Sequence, residues 1–600
     1  MKHKLLSFVL FFSCNILVHA QALTPLNRII ALLQPADVFP TEPGKSFLLT
    51  DRSKGEKPAS FLNSIGDGSV PVFAAEMPVA GKSSGDAQVI WKNEKPVKKG
   101  DALLARFVIR AIYARQESGE AVVNFFVNQN VAPNERQVII ELSIGPEWKT
   151  VDIPFEANKE MAVGEATIGF QFGALAQKLE LAHIQLLNFE KSINVPSLPT
   201  TRFSYAGQEK DATWRIAAMK RIEEIRTAPI SVAVTNAKGK PVKGAIVHIV
   251  LAEPAFIFGT AVSVNLINAN DSNGVIYRSR VKELFNTVTI DNNLKWSGWI
   301  DPVKRVQTKT AIAWINNNGL RLRGHNLVWP GKKFTPSFYA KQPGFGPGFA
   351  DSITKHIEDI ATYTKGKVIA WDVINEMMHE KDYFEVMPRS KAIEWFQQAH
   401  RIDPNAQMFI NEYSMLNSIA SPKNINTYLE LIAELRNSGA PIQGIGVQGH
   451  VGRQPRNPAQ VLTDLDLFIP TGLPVQITEF DVNSPDEALQ ADYTRDFLIA
   501  CYSHPVVTGF TMWGFWEAAH WKPDAAMYRK NWSAKPNAEV WREWVTNKWK
   551  TNLTVTTGRN GKVDARGHFG HYQITVTKNG VTKKVMYHLS KNAKPIEIKL

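Results

Sequence analysis

The rhythm of apolar and polar positions changes character along the chain. Between about residues 72 and 189, short alternating or apolar segments (104–113, 121–127, 138–142 and 179–187 among them) are separated by glycine and proline turns. Strands at this spacing predict a β-sandwich, assigned to residues 21–190. The stretch 191–199 holds two prolines and few large apolar groups, and it predicts a linker over 191–204. Trp214, Ala218, Ile222 and Ile225 then recur at helical spacing. Two apolar runs, 230–234 and 245–251, flank a Lys238-Gly239-Lys240-Pro241 turn. Helix and hairpin together form a lead-in over 205–254.

Beyond Pro254 the rhythm becomes one of short apolar strands, each followed by a loop and a helical stretch. The expected strands are 256–261, 287–290, 322–327, 368–373, 408–410, 444–447, 475–478 and 509–513. Eight strands in repeated βα order predict a (β/α)8 TIM barrel over 255–548, making the chain a multidomain protein with a β-sandwich ahead of its barrel. In such a barrel chemistry sits at the C-terminal ends of the strands, so polar residues there take priority. Residues 549–600 alternate again at 572–576 and 585–589 and predict a small β-appendage.

Composition adds a few constraints. Six hundred residues exceed what one core organises, which agrees with several domains. Lys2 and Lys4, the apolar run 5–12 and small residues before Gln21 predict a secretory signal over 1–20, so a secreted or periplasmic protein is expected. Phe12-Ser13-Cys14 leaves lipoprotein anchoring as a secondary expectation. Cys501 is then the single cysteine of the mature chain, which excludes a disulfide framework and a cysteine-rich zinc site. No later run of about 18 apolar residues occurs, so no membrane span is expected. Nor is any cofactor or metal expected, and a monomer is the expected state. The net charge of +13 does not by itself indicate nucleic acid, because no nucleic-acid fold signature accompanies it. Residues 551–600 concentrate nine Lys/Arg against Asp564 and Glu597, which a solvated basic face explains.

The strand ends carry the chemistry. The expected fourth strand ends in Trp371-Asp372-Val373-Ile374-Asn375-Glu376, and the seventh in Ile477-Thr478-Glu479-Phe480-Asp481. Two carboxylates across a sugar are what glycosidic cleavage requires: one protonates the departing oxygen while the other attacks or activates water. A glutamate at one strand end is more often a salt-bridge partner, but this pair has company. Asn375 is suited to a sugar 2-hydroxyl. Gln448-Gly449-His450 at the sixth strand puts His450 beside Glu479, with Asp481 to fix its tautomer. The third strand ends in His325-Asn326-Leu327-Val328-Trp329; the eighth yields Trp513, followed by Trp516 and Trp521, which offer faces for pyranose stacking.

With these strings in order, residues from about 205 to 544 resemble glycoside hydrolase family 10, the retaining endo-β-1,4-xylanases. The matching motifs are Phe285-Asn286-Thr287-Val288-Thr289 with Asn292, Lys295 and Trp296; Arg323-Gly324-His325 to Trp329; Trp371 to Glu376; Phe409-Ile410-Asn411-Glu412-Tyr413; Gly444 to His450; Thr478-Glu479-Phe480-Asp481; and Trp513-Gly514 with Trp521. The resemblance implies Glu376 as acid/base and Glu479 as nucleophile. It also implies that Asn292, Lys295, His325, Trp329, Asn375, Gln448, His450, Trp513 and Trp521 hold sugars on the non-reducing side, with Tyr413 on the leaving-group side and xylan as the substrate. Two departures stand out. Asp291 replaces the family's usual glutamate, and Pro330-Gly331-Lys332 replaces the common His-x-Gln. The N-terminal sandwich resembles jelly-roll carbohydrate-binding modules, with Tyr113, Phe125 and Trp148 as stacking candidates that core burial explains equally well. A β-1,4-glucanase of the same barrel type and a non-hydrolytic glycan-binding protein remain the alternatives.

Overall fold

The computed structural model describes residues 25–52, 58–64, 71–116, 118–130, 135–201 and 204–600; the signal expected over 1–20, with Cys14, lies outside them. Eight parallel strands close into a barrel in chain order: Ile257–Val262, Thr287–Ile290, Arg321–Val328, Ala370–Asn375, Gln407–Glu412, Gly444–Val447, Val475–Val482 and Val507–Met512. The eighth pairs with the first through Ile257↔Gly509, which seals the sheet. Both faces of every strand are covered, which is why the sequence shows continuous apolar runs rather than alternation. Strand positions agree with expectation to within about two residues, except that the seventh runs four residues further, to Val482. The core joins strand residues such as Val288, Ile410 and Ile477 to helix residues such as Ile357, Trp395, Phe497 and Trp541. Cys501 is buried within it, and burial pushes its thiol well up, which leaves it no nucleophilic role. No helix among the described residues is long and apolar enough to cross a membrane.

The N-terminal domain packs two antiparallel sheets face to face. One runs Ser60–Ser64, Val72–Met77, Gln177–Asn188, Ala102–Ala114, Lys149–Glu156; the other runs Leu48–Asp51, Ala87–Lys92, Ala166–Gln171, Ala121–Gln129, Glu135–Ile144. Trp91, Phe107, Phe125 and Phe170 interlock between them at centroid distances of 4.9–6.3 Å. Phe125 is thus core and no stacking candidate, whereas Trp148 is 41% exposed. A short helix, Pro25–Leu33, was not anticipated. Leu26 packs with Leu104, Leu187 and Phe189 in a satellite cluster that Ile29, Ile30 and Leu33 cover. The stretch expected as a linker is fastened to the sandwich, with Leu198 buried in that same cluster and Thr201 donating its N–H to the Asp152 carbonyl.

A second difference concerns the lead-in and the tail. The helix forms over Thr213–Arg226 with Ala218 and Ile222 buried, as its spacing predicts. The two strands after it, Thr227–Thr235 and Ile246–Pro254, do not pair as a hairpin ladder. The first lies between Lys562–His568 and Ile596–Lys599, the second between Asn552–Thr556 and Gly570–Lys578, with Val581–Leu589 beyond. Lead-in and tail therefore form one two-sheet body around Ile230, Val247, Tyr572 and Ile574. Arg226 ties it to the barrel by donating to the carbonyls of Tyr502, His504 and Val507, at the N-terminal end of the eighth strand. This body sits under the barrel, away from the catalytic rim. Gly570, at φ 148°, comes so near the Glu253 carbonyl that a side chain would overlap it, which accounts for a glycine at that position.

Candidate active site

Glu376 and Glu479 line one cavity of 420 Å3 at the C-terminal ends of the strands. Glu376, the residue after the fourth strand, has φ 58° in the left-handed region, a conformation L-residues adopt at a cost and mostly at functional positions. Its main-chain N–H bonds the Asn411 carbonyl at 2.8 Å, so the fifth strand holds the reversal. Gln448 donates to Oε1 at 2.8 Å and the Trp329 indole N–H to Oε2 at 2.9 Å, which orients both carboxylate oxygens.

Glu479 sits inside the seventh strand and is only 4% exposed. Asn411 donates to Oε1 at 2.8 Å and also to Asn375 Oδ1 at 2.8 Å, so one amide ties the fourth strand to the seventh. Gly446 beside it has no side chain where a Cβ would collide with the Asn411 amide. On the other side His450 Nε2 lies 3.3 Å from Glu479 Oε2, while Nδ1 lies 3.1 Å from Asp481 Oδ1. Direct pairing of His450 with Asp481 across two short parallel segments sets this up. Burial alone would raise the Glu479 carboxyl, but the His325 and His450 imidazoles hold it below the ordinary carboxylate range. The arrangement presents an anion to whatever occupies the cavity.

Burial alone would lower the His450 imidazole, yet Asp481 and Glu479 on its two nitrogens push it up to about 10. At neutral pH both nitrogens then carry a proton, so Asp481 stabilises an imidazolium rather than selecting a tautomer. Because the folded value lies above the unfolded one of about 6.5, this group adds stability that is complete below about pH 6.5 and is lost as pH rises to about 10. Comparing melting temperatures of wild type and His450→Gln should show the largest gap near pH 6.5, closing toward pH 10. An equal gap at both ends would mean that His450 folds neutral.

The remaining expected residues take different positions. Asn292, Lys295, His325, Trp329, Gln448, His450, Trp513 and Trp521 all line the cavity. Lys295 Nζ reaches Asn292 Oδ1 at 3.0 Å and lies 5.1 Å over the Trp329 ring. Burial lowers its ammonium, against the pull of Glu479, Asp291 and Glu376. His325 Nδ1 bonds Asp372, which in turn carries a buried ion pair with Arg323. Trp513 meets His325 edge-on at 5.1 Å, and Trp521, 43% exposed, donates to Asp481 at 2.7 Å. Asn375 lies fully buried behind the pair, outside the cavity lining. Tyr413 is also outside it, stacked on His379 at 3.9 Å beyond the fifth strand. In the departure segment Phe334 stacks on Trp329 at 3.3 Å, so one face of that indole is taken by the protein.

Residues that were not singled out as site residues complete the picture. Asn411 and Asp372 were legible only as parts of motifs, and Glu412 holds Met378 N–H and His379 in the loop after Glu376. His520 lines the cavity beside Asp481, and burial lowers it to about 4, so it is neutral. Gln448 Oε1, Trp516 Nε1 and His520 Nε2 are buried at the cavity with no hydrogen-bond partner among the described residues, as is Asn375 Nδ2 behind it. Buried polar atoms are seldom left unpaired, and this set of donors and acceptors suits a ligand rich in hydroxyls.

Comparison with known proteins bears on the same region. Residues 249–543 match the profile of glycosyl hydrolase family 10. The anti-sigma-I factor RsgI6 of Acetivibrio thermocellus is 33% identical over 376 residues, which is 62% of this chain and 47% of that protein. Endo-1,4-beta-xylanase 1 of Arabidopsis thaliana is 26% identical over 378 residues, 62% of this chain and 39% of that one. The chain thus spans less than half the length of either relative. Among solved structures, xylanase 10B of Thermotoga petrophila in complex with xylobiose aligns at 24% identity and a TM-score of 0.44, covering 49% of this chain and 95% of that one.

Proposed function

Residues 249–543 are a glycosyl hydrolase family 10 domain, and from that premise we propose that the protein is a retaining endo-β-1,4-xylanase. The observation that carries the reading is the placement of Glu376 and Glu479 in one cavity, each oriented by hydrogen bonds from neighbouring strands. A xylose unit lies with its anomeric carbon at Glu479. The Glu479 carboxylate attacks that carbon as Glu376 gives its proton to the departing glycosidic oxygen, forming a glycosyl ester. Glu376 then takes a proton from water, which displaces Glu479 and restores the original configuration. Lys295, Asn292, Gln448 and Trp521 crowd the sugar, and a site this full of fixed side chains disfavours the hydroxymethyl group that distinguishes glucose from xylose.

Export of the enzyme through segment 1–20 belongs to the same reading, supported by its lysine, apolar, small-residue order. The test is a product profile on glucuronoxylan, arabinoxylan and mixed-linkage β-glucan, with the first product's anomeric configuration read by NMR. Xylo-oligosaccharides released first as the β-anomer are expected, with at least about tenfold lower kcat/KM on glucan. Cello-oligosaccharide release would favour the glucanase alternative, an initial α-anomer would overturn double displacement, and binding to xylan without any reducing-sugar release would favour the non-hydrolytic one.

A further inference from the structure

The sandwich is docked on the catalytic rim. Its Glu120, buried, accepts the main-chain N–H groups of Arg453 and Gln454 at 2.9 Å each. Gly452 makes room for this, since a Cβ there would overlap the Glu120 carboxylate. The segment so held starts at Arg453, three residues after His450, the residue that contacts Glu479. From His450 to Gln454 four residues span at most about 14 Å. Lys149 Nζ, from the sandwich, reaches Gln454 Oε1 at 3.1 Å. The residue before it is Trp148.

Trp148 lies in the 145–148 turn between the strands Glu135–Ile144 and Lys149–Glu156. The Arg110 guanidinium covers its ring at 4.6 Å and is itself held by Glu180 at 2.7 Å. With Arg110 pinned on its ring and Lys149 bonded to the barrel, the indole is preorganised, yet 41% of its surface stays exposed. An exposed, immobilised indole at a domain seam offers a flat ring and an N–H that suit a sugar face and its hydroxyls.

Direction follows from the barrel. Every barrel strand but the fifth, or the loop that follows it, contributes to the wall of the cavity: Glu376 comes from the fourth and Gln448 and His450 from the sixth, whereas the fifth strand and its loop supply none of the lining. A chain held in that cavity leaves it past Glu376 over the loop of the fifth strand, where the sandwich also sits: the Ser418 hydroxyl of that loop donates to the Ser118 carbonyl at 3.3 Å, beside the Glu120 contacts to Arg453 and Gln454. We propose that Trp148 is a stacking platform for the leaving-group arm of a β-1,4-linked xylose chain, so that sandwich and barrel form one continuous binding track, with Glu120 as the positioning residue of the seam. This rests on the xylanase reading of the barrel.

The test compares the full-length protein with Trp148→Ala, Trp148→Phe and Glu120→Ala on two substrates: an aryl β-xylobioside that fills only the cavity, and linear xylan. The ratio of kcat/KM on xylan to that on the aryl glycoside is expected to fall about tenfold in Trp148→Ala, through KM. Trp148→Phe should recover most of it, and Glu120→Ala should lower the ratio at an unchanged CD spectrum. An unchanged ratio in Trp148→Ala, or equal losses on both substrates, overturns the platform. A wild type that cleaves the aryl glycoside but shows no chain-length dependence also overturns it while leaving the barrel's activity intact. A wild type inactive on both substrates sinks the xylanase reading itself.

Discussion

Replacing Glu479 by alanine is expected to lower kcat on xylan by on the order of 10^4-fold or more, while the affinity for xylo-oligosaccharides changes by no more than about threefold. The loss is large because, on the proposed mechanism, this side chain forms the covalent bond to the sugar, and the Asn411 amide and His450 imidazole that touch it cannot take its place. Affinity survives because the contacts expected to hold sugar, Trp513, Trp521, Asn292 and Lys295, are separate from that carboxylate. Removing the anion leaves the buried His450 imidazolium with Asp481 alone, so its raised value should drop. Steady-state rates and isothermal titration of the variant check both halves. Residual activity above about 1% of wild type would remove Glu479 from the nucleophile's role.

Glu376→Ala should split substrates by their leaving groups. On xylan, whose departing sugar hydroxyl needs a proton, kcat/KM is expected to fall about 10^2- to 10^4-fold. On an aryl xylobioside with an acidic phenol the first step needs no proton, so kcat/KM stays within a few-fold of wild type. The second step loses its general base, and the glycosyl ester accumulates as a burst of phenol followed by a slow steady state. Trp329 and Gln448, which donate to the two oxygens of Glu376, remain to fill part of the space. Parallel losses on both substrates, without a burst, would mean that Glu376 binds rather than transfers a proton. The two variants are complementary, since only the acid/base variant should distinguish leaving groups.

Much of the barrel was legible because parallel strands buried on both faces must be apolar throughout, and the βα repeat then counts them. The site was legible for a related reason. Chemistry concentrates at strand ends, so Glu376, Glu479, His325 and His450 could be picked out before any geometry was known. Tyr413 was assigned to the leaving-group side on the strength of its motif; its ring stacks on His379 beyond the fifth strand, apart from the cavity that holds the two glutamates. Phe125 could not be told from a surface aromatic, because an isolated apolar position in a strand reveals its face only once the sheets are paired. The helix Pro25–Leu33 is too short for a strong period, and its apolar side is explained only by the sandwich surface it covers.

What the sequence by itself determined is therefore what local periodicity and residue chemistry carry: the eight-stranded barrel, the sandwich ahead of it, and two carboxylates with their aromatic and imidazole company. What only the tertiary structure decided is every relation between distant segments. The strand Thr227–Thr235 pairs with Lys562–His568 across more than 300 positions, and Glu120 clamps Arg453 and Gln454 across an equal span. Such partners are chosen by backbone hydrogen bonds, which every residue but proline offers alike, and by a close fit such as Gly452 permits. Neither leaves a period or a motif in the chain, so neither can be read until the chain has folded.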